Sequence, residues 1–263
     1  MRKYWAFYKT SITQTIAYRG TLLMWLTCNF ISMATIMAVW FSAANNKSLG
    51  GYTFPQLTTY YILGIVVGWA INWNTFPSLK NKIKKGDLAT ELVKPISPIK
   101  LTFVWEAAFR SVCFLFGLTG TIVMGILLSK YLVIPTLSAN YLILPFSFAM
   151  AIAIQALLGV CLAMFSFWLT DTESLSALRW IGLEIFGGTG LPLSFIPVLF
   201  QPLIKAMPFR YMYSFPMEII FGKVTSLELL TGLGWQVFWV ISLYLLHKLL
   251  WHQGLKAYVS VGH

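Results

Sequence analysis

The apolar residues of this chain fall mostly in blocks of about 20 or more, the length at which a helix crosses the hydrocarbon of a bilayer. Spans are predicted at about 20–43, 57–78, 101–128, 141–169, 175–190 and 233–252, each bounded by charges, Gly or Pro. With 58% hydrophobic and 10% charged residues, the chain reads as an all-α integral membrane protein with six transmembrane helices, a single transmembrane domain over 1–263. No internal repeat, low-complexity segment or soluble domain interrupts it. Cys28, Cys113 and Cys161 lie inside apolar blocks, without paired or metal-ligand spacing, and read as small packing residues.

Between the second and third blocks lies a run that no bilayer would accept, Lys80 to Lys100. It holds six of the nineteen Lys and Arg residues and two of the eight acids. Ile83, Leu88, Leu92 and Val93 recur in it at roughly helical spacing until Pro95 and Pro98 stop the pattern. A short amphipathic helix is expected there, with an apolar face that needs a partner. Lysine-rich short loops stay in the cytoplasm, and counting Lys and Arg over the whole chain gives thirteen on that side against five outside, namely Lys47, Lys130, Lys205, Arg210 and Lys223. Both termini are therefore expected in the cytoplasm. The formal charge of +11 follows from this bias and from attraction to anionic membrane lipid, which leaves nucleic acid an unneeded partner.

Residues 1–19 place Trp5, Tyr8, Ile12 and Ile16 on one helical face among cations, the pattern of a helix lying in the membrane interface. Ser42-Ala43-Ala44 resembles a signal cleavage site, but the apolar run before it is too long for a signal peptide, so an uncleaved first span is expected. The segment 189–231 is apolar yet broken by Pro192, Pro197, Pro202, Pro208 and Pro216. Broken backbone at membrane depth needs cover from protein or a water-filled cavity, so this segment is expected to form a re-entrant external hairpin between spans five and six; two further spans are the alternative.

Catalytic signatures are absent: no phosphate loop, no His-Glu-x-x-His, no Gly-x-Ser-x-Gly and no His/Cys cluster with ligand spacing. His247 and His252 read as interfacial rather than metal-binding. A membrane protein without covalent chemistry of its own is the expectation. A charge at the bilayer centre costs about 2.5 to 3.5 kcal/mol on insertion scales, so Arg110 needs a partner. Glu184 lies at a similar depth in the fifth span, and Glu106 stands one helical turn before Arg110. Arg110 and Glu184 line a substrate path on one reading and fix helix register as an ion pair on the other. Trp69, Asn72, Trp73 and Asn74, in the second span, suit stacking and amide contacts to an amphipathic substrate, or an aromatic belt.

The order of these features resembles the ABC-2 type permeases, and within them a viologen-exporter-like branch with a cytoplasmic G-x-L…L-x-[RK]-P-[IV]-x-P pattern. Here that pattern reads Gly86-Asp87-Leu88 and Leu92-Val93-Lys94-Pro95-Ile96-Ser97-Pro98. Further likeness lies in Gly190-Leu191-Pro192 to Pro197, in Pro208-Phe209, Pro216 and Gly222, and in the tail from Trp251 through Gly254 and Tyr258 to Gly262. The neutral Ala89-Thr90 departs from relatives that carry charged or apolar residues there.

The resemblance implies a half-transporter in a bacterial cytoplasmic (inner) membrane. It would dimerise with itself or a sister permease and export an amphipathic or hydrophobic substrate. The chain itself would need no cofactor, since ATP would bind a separate ABC ATPase subunit. The coupling contact would involve Lys84, Lys85, Gly86, Asp87, Leu88, Glu91, Leu92, Lys94, Pro95, Ile96, Ser97 and Pro98, with a second, smaller contact at Asp171 and Glu173. A stand-alone channel or ion-coupled carrier is the rival reading.

Overall fold

A computed structural model of the chain describes residues 2–44, 50–135 and 139–258. Lys47, His263 and the end of the tail motif from Val259 to Gly262 lie outside the described residues. The described chain is helical: α1 (Arg2–Ala17), α2 (Arg19–Ala44), α3 (Phe54–Ile71), α4 (Phe76–Lys84), α5 (Asp87–Leu92), α6 (Pro98–Leu127), α7 (Leu144–Met164), α8 (Glu173–Phe186), α9 (Gln201–Ala206), α10 (Pro208–Met212), α11 (Ser214–Ile220) and α12 (Ser226–Ala257). Among the described residues, five stretches are long and apolar enough to cross a membrane: Arg19–Ala43, Phe54–Lys84, Pro98–Leu127, Leu144–Phe167 and Ser226–Ala257.

Three of the long helices, α3, α6 and α12, start where side chains satisfy their first N–H groups. Thr53 and Gln56 form a reciprocal capping box at α3, and Thr225 and Glu228 do the same at α12. The second box explains why α12 begins seven residues before the predicted span: Glu228 closes the helix start instead of ending an apolar run. Ser97 caps α6, with Pro98 in its first turn.

The helices sort into inner and outer ones. Over its most apolar stretch, Leu144–Phe167 is 56% buried and Phe54–Lys84 50%, against 17% for Arg19–Ala43. One apolar cluster joins α3, α4 and α7 to α10, α11 and α12, around Tyr60, Phe76, Ile154, Met164, Tyr211 and Phe215. A second joins α2, α3 and α6 around Leu22, Met33, Ile65 and Val112. Helix α1 packs along α6, with Tyr8 Oη and Ser111 Oγ 2.8 Å apart. The buried edge of α1 is Ser11 and Thr15, while Trp5, Phe7 and Ile16 are exposed. The predicted apolar face is therefore divided: Trp5 and Ile16 are exposed, as lipid contact favours, whereas Tyr8 bonds α6 and Ile12 packs on the second cluster, and the small hydroxyl residues let α1 approach its neighbours.

One expectation is corrected, and two segments take a form that hydropathy alone does not show. The second span is not one helix: α3 ends at Ile71, and Asn72 to Thr75 interrupt it before α4. The fifth predicted span folds as α8, only 14 residues, or about 21 Å, which is short of hydrocarbon about 30 Å thick. Its start meets α4, where Lys80 pairs with Glu173, and its far end meets the N-terminal half of α3, where Tyr60 and Tyr61 donate to the carbonyls of Gly188 (2.6 Å) and Gly190 (3.0 Å). The proline-rich segment folds in against α7 and α12. Tyr211 to Met217 are all buried, and Gln155 of α7 and Gln236 of α12 donate to the carbonyls of Met212 and Tyr211. Side chains thus cover backbone that has no helical partner.

Candidate functional site

The lysine-rich loop turns twice within ten residues. Phe76, Leu79 and Ile83 bury one face of α4, and Gly86 then adopts φ +80°, a conformation that favours glycine. This turn divides the expected amphipathic helix into α4 and α5. Leu88 is fully buried, whereas Leu92 and Val93 are 41% and 85% exposed, so the predicted apolar stripe is split between an anchor and an open tip. Asp87 sits in the first turn of α5, where a negative charge suits the helix dipole. Glu91 pairs with Lys82 at 3.0 Å. Lys84, Lys85, Lys94 and Pro95 are exposed, Ile96 is half-buried, and Ser97 with Pro98 opens α6.

The turn before α8 lies against this loop. Lys80 pairs with Glu173, and Lys84 donates to the Thr170 carbonyl. Asp171 Oδ1 accepts from the Glu173 backbone N–H at 2.9 Å and so helps cap α8. The two stretches singled out in the sequence as a major and a minor contact therefore form one surface, with Trp168 and Leu169 also exposed beside them.

About one α4 length away is the polar break. Thr75 is fully buried and donates to the Ala156 carbonyl of α7 at 2.8 Å. That approach depends on Gly159, where a Cβ would stand 2.5 Å from Thr75 Oγ1. From the other side, Glu106 Oε1 accepts from the Asn74 backbone N–H at 2.9 Å and from Arg110 Nε at 2.8 Å. Arg110 thus pairs with Glu106, and the alternative pair with Glu184 is not formed. Glu184 rests on Gly190, where a Cβ would come within 2.7 Å of its Oε2. Trp69 is also outside the break: it packs on Gly117 of α6. Asn72 Oδ1, Trp73 Nε1 and Asn74 Oδ1 are buried without hydrogen-bond partners.

Arg179 joins this cluster, although its charge places it in the cytoplasm by sequence. It is 4% exposed and within electrostatic range of Arg110 and Glu106. Its position inside the block 175–190 was the available signal, overridden by counting it with the cytoplasmic cations. Gln155 and Gln236 were missed as well, and their signal is a lone amide in an apolar block.

Two cavities complete the picture. A polar one of about 210 Å³ is lined by Tyr52, Arg210, Glu218, Lys223 and Glu228 among others, with Arg210 and Glu218 paired at 2.6 Å. Lys223 Nζ lies 2.9 Å from the centre of the Tyr52 ring, and burial pushes its ammonium down to about 8, opposed by the charge of Glu218. An apolar groove of about 550 Å³ lies between α1, α2 and α6, walled by Trp25, Trp105 and Phe109. No cluster of metal-ligating side chains occurs among the described residues.

A family model described as ABC-2 family transporter protein matches residues 22–262. Comparison with curated proteins gives no match. The match covers nearly the whole chain, including the lysine-rich loop, the polar break and the folded-in hairpin, and the chain belongs to the ABC-2 family of transporter membrane proteins.

Proposed function

We propose that this chain is the permease half of an ATP-driven exporter in a bacterial cytoplasmic membrane, close to the viologen-exporter-like branch. It forms one transmembrane domain, pairs with a second copy or a sister permease, and hands no chemistry to its substrate. A separate ATPase docks on the surface made by Lys84 to Pro98 together with Asp171 and Glu173. Helix α8 and residues 187–190 make the fifth of six crossings, the hairpin between it and α12 is re-entrant from outside, and α1 lies at the cytoplasmic interface.

One observation carries the coupling role: α5 is tied to α4 through Glu91 and Lys82, and α4 to the start of α8 through Lys80, Glu173, Lys84 and Thr170. A push on α5 moves α4 against the polar break and α8 with it. Packed helices transmit such displacements because their interiors are dense. The substrate path then lies beside Asn72, Trp73, Asn74 and Arg110, where α3 is already interrupted.

The test replaces Gly86→Val and Asp87→Lys in the permease co-purified with its ATPase. Val cannot hold φ +80° without strain, and Lys reverses the charge at the start of α5. Insertion and yield are expected to persist while substrate-stimulated ATP hydrolysis is lost. Normal stimulation in both variants would remove the docking assignment, and transport that continues after ATP depletion would favour a carrier acting alone.

A further inference from the structure

Arg179 is a buried cation without a bonded partner. It is 4% exposed, its Nε has no acceptor, and among the described residues it makes no hydrogen bond or ion pair. An arginine does not shed its charge at physiological pH, and buried charges are stable only when paired. Glu106 is near enough to be felt, but its Oε1 already serves Asn74 and Arg110. Two guanidinium groups therefore share one carboxylate, which leaves an excess positive charge in a dry setting.

The other acids do not supply the missing charge. Glu91, Glu173, Glu218 and Glu228 are paired with lysines or arginines elsewhere. Asp87 and Asp171 are exposed in the loops. Glu184 is five positions from Arg179, about 140° round the same helix, and rests on Gly190. A second donor nearby is also orphaned: Trp73 Nε1 is buried without an acceptor, in the same break whose next residue bonds Glu106. Two unsatisfied donors and an excess charge call for a group that only accepts hydrogen bonds and is negative, which is the chemistry of a phosphate or carboxylate.

The cluster adjoins the apolar groove through Phe109, the neighbour of Arg110 on α6. The Arg110 guanidinium lies 5.1 Å from the centre of the Phe109 ring, and Phe109, stacked on Trp105, walls that groove. We propose that the break between α3 and α4, with Arg110 and Arg179, receives the anionic headgroup of an amphiphile whose apolar part lies along Trp105 and Phe109. This rests on the exporter reading and names its substrate class.

The test uses the permease alone, purified in dodecyl maltoside, and follows its melting temperature while dodecyl phosphate, inorganic phosphate or dodecyl trimethylammonium is added. Dodecyl phosphate is expected to raise the melting temperature in a saturable way, with the cationic detergent giving no rise. Arg179→Gln should melt no lower than wild type without ligand, because it removes an unpaired buried charge. The same variant should bind dodecyl phosphate about tenfold or more weakly, as loss of a charge-assisted hydrogen bond implies, and Arg179→Lys should recover part of it. A full response from inorganic phosphate alone would overturn the amphiphile assignment, and an unchanged response in Arg179→Gln would overturn the site. A second arm adds the co-purified ATPase: stimulation by dodecyl phosphate is expected, and binding without stimulation would overturn the substrate assignment while leaving the exporter reading to its own test.

Discussion

At the scale of single residues, Glu106 holds the centre. It is 1% exposed, and one of its oxygens ties the broken backbone after α3 to Arg110. Removing one partner of a buried pair leaves the other charge uncompensated, at a cost of about 3 to 5 kcal/mol. Glu106→Gln should therefore unfold at lower temperature than wild type. A double-mutant cycle between Glu106→Gln and Arg110→Gln should give a coupling of about 1 to 3 kcal/mol, whereas Arg110→Gln with Glu184→Gln should add within about 0.5 kcal/mol. Coupling to Glu184 of the same size would contradict the pairing. The i, i+4 spacing of Glu106 and Arg110 was visible in the sequence. The competing pair came from matching depth along two helices, and depth says nothing about rotation round the axis, which is what sends Glu184 to Gly190 instead.

At the scale of elements, the informative features are interruptions in apolar helices. Hydropathy runs on across Asn72 to Thr75, so the break was hidden. Two local signs remain, the polar residues at 72, 74 and 75 and the proline at the first turn of α4. What makes the break stable is not local: it needs Ala156 to accept from Thr75 and Gly159 to leave room. Gly159→Ala should cost about 1 to 3 kcal/mol, because an added methyl would meet Thr75 and backbone rather than a yielding side chain. Thr75→Val keeps the shape and loses the bond to Ala156, at about 1 kcal/mol or somewhat more. Thermal unfolding in detergent measures both, and a neutral Gly159→Ala would show that the close approach is not required. The loop was legible in the same partial way. Its charge and its Gly86, Pro95 and Pro98 were readable, but the turn at Gly86 buries Leu88 and turns Leu92 and Val93 outward, which periodicity alone would have kept on one stripe.

At the scale of the whole molecule, the number of crossings decides which side the hairpin occupies. The charge rule does not decide it. With Arg179 set aside as buried, six crossings leave twelve cations inside and five outside; with no crossing at α8, Lys205, Arg210 and Lys223 move in, Lys248 and Lys256 move out, and the count is thirteen against four. The packing argues more directly. Glu173 lies by Lys80 and Gly188 by Tyr60, positions about 30 Å apart along a helix path. A 14-residue helix and four irregular residues thus reach between the two ends of Phe54–Lys84, with tyrosine side chains completing the hydrogen bonds that a longer helix would have made itself. In a background with Cys28→Ser, Val93→Cys and Leu199→Cys place single reporters at sites 85% and 83% exposed. A membrane-impermeant maleimide should label Leu199→Cys in intact cells and Val93→Cys only after permeabilisation. Labelling of both positions from one side would mean that α8 does not complete a crossing, and would place the polar cavity around Arg210 and Glu218 on the same side as the lysine-rich loop.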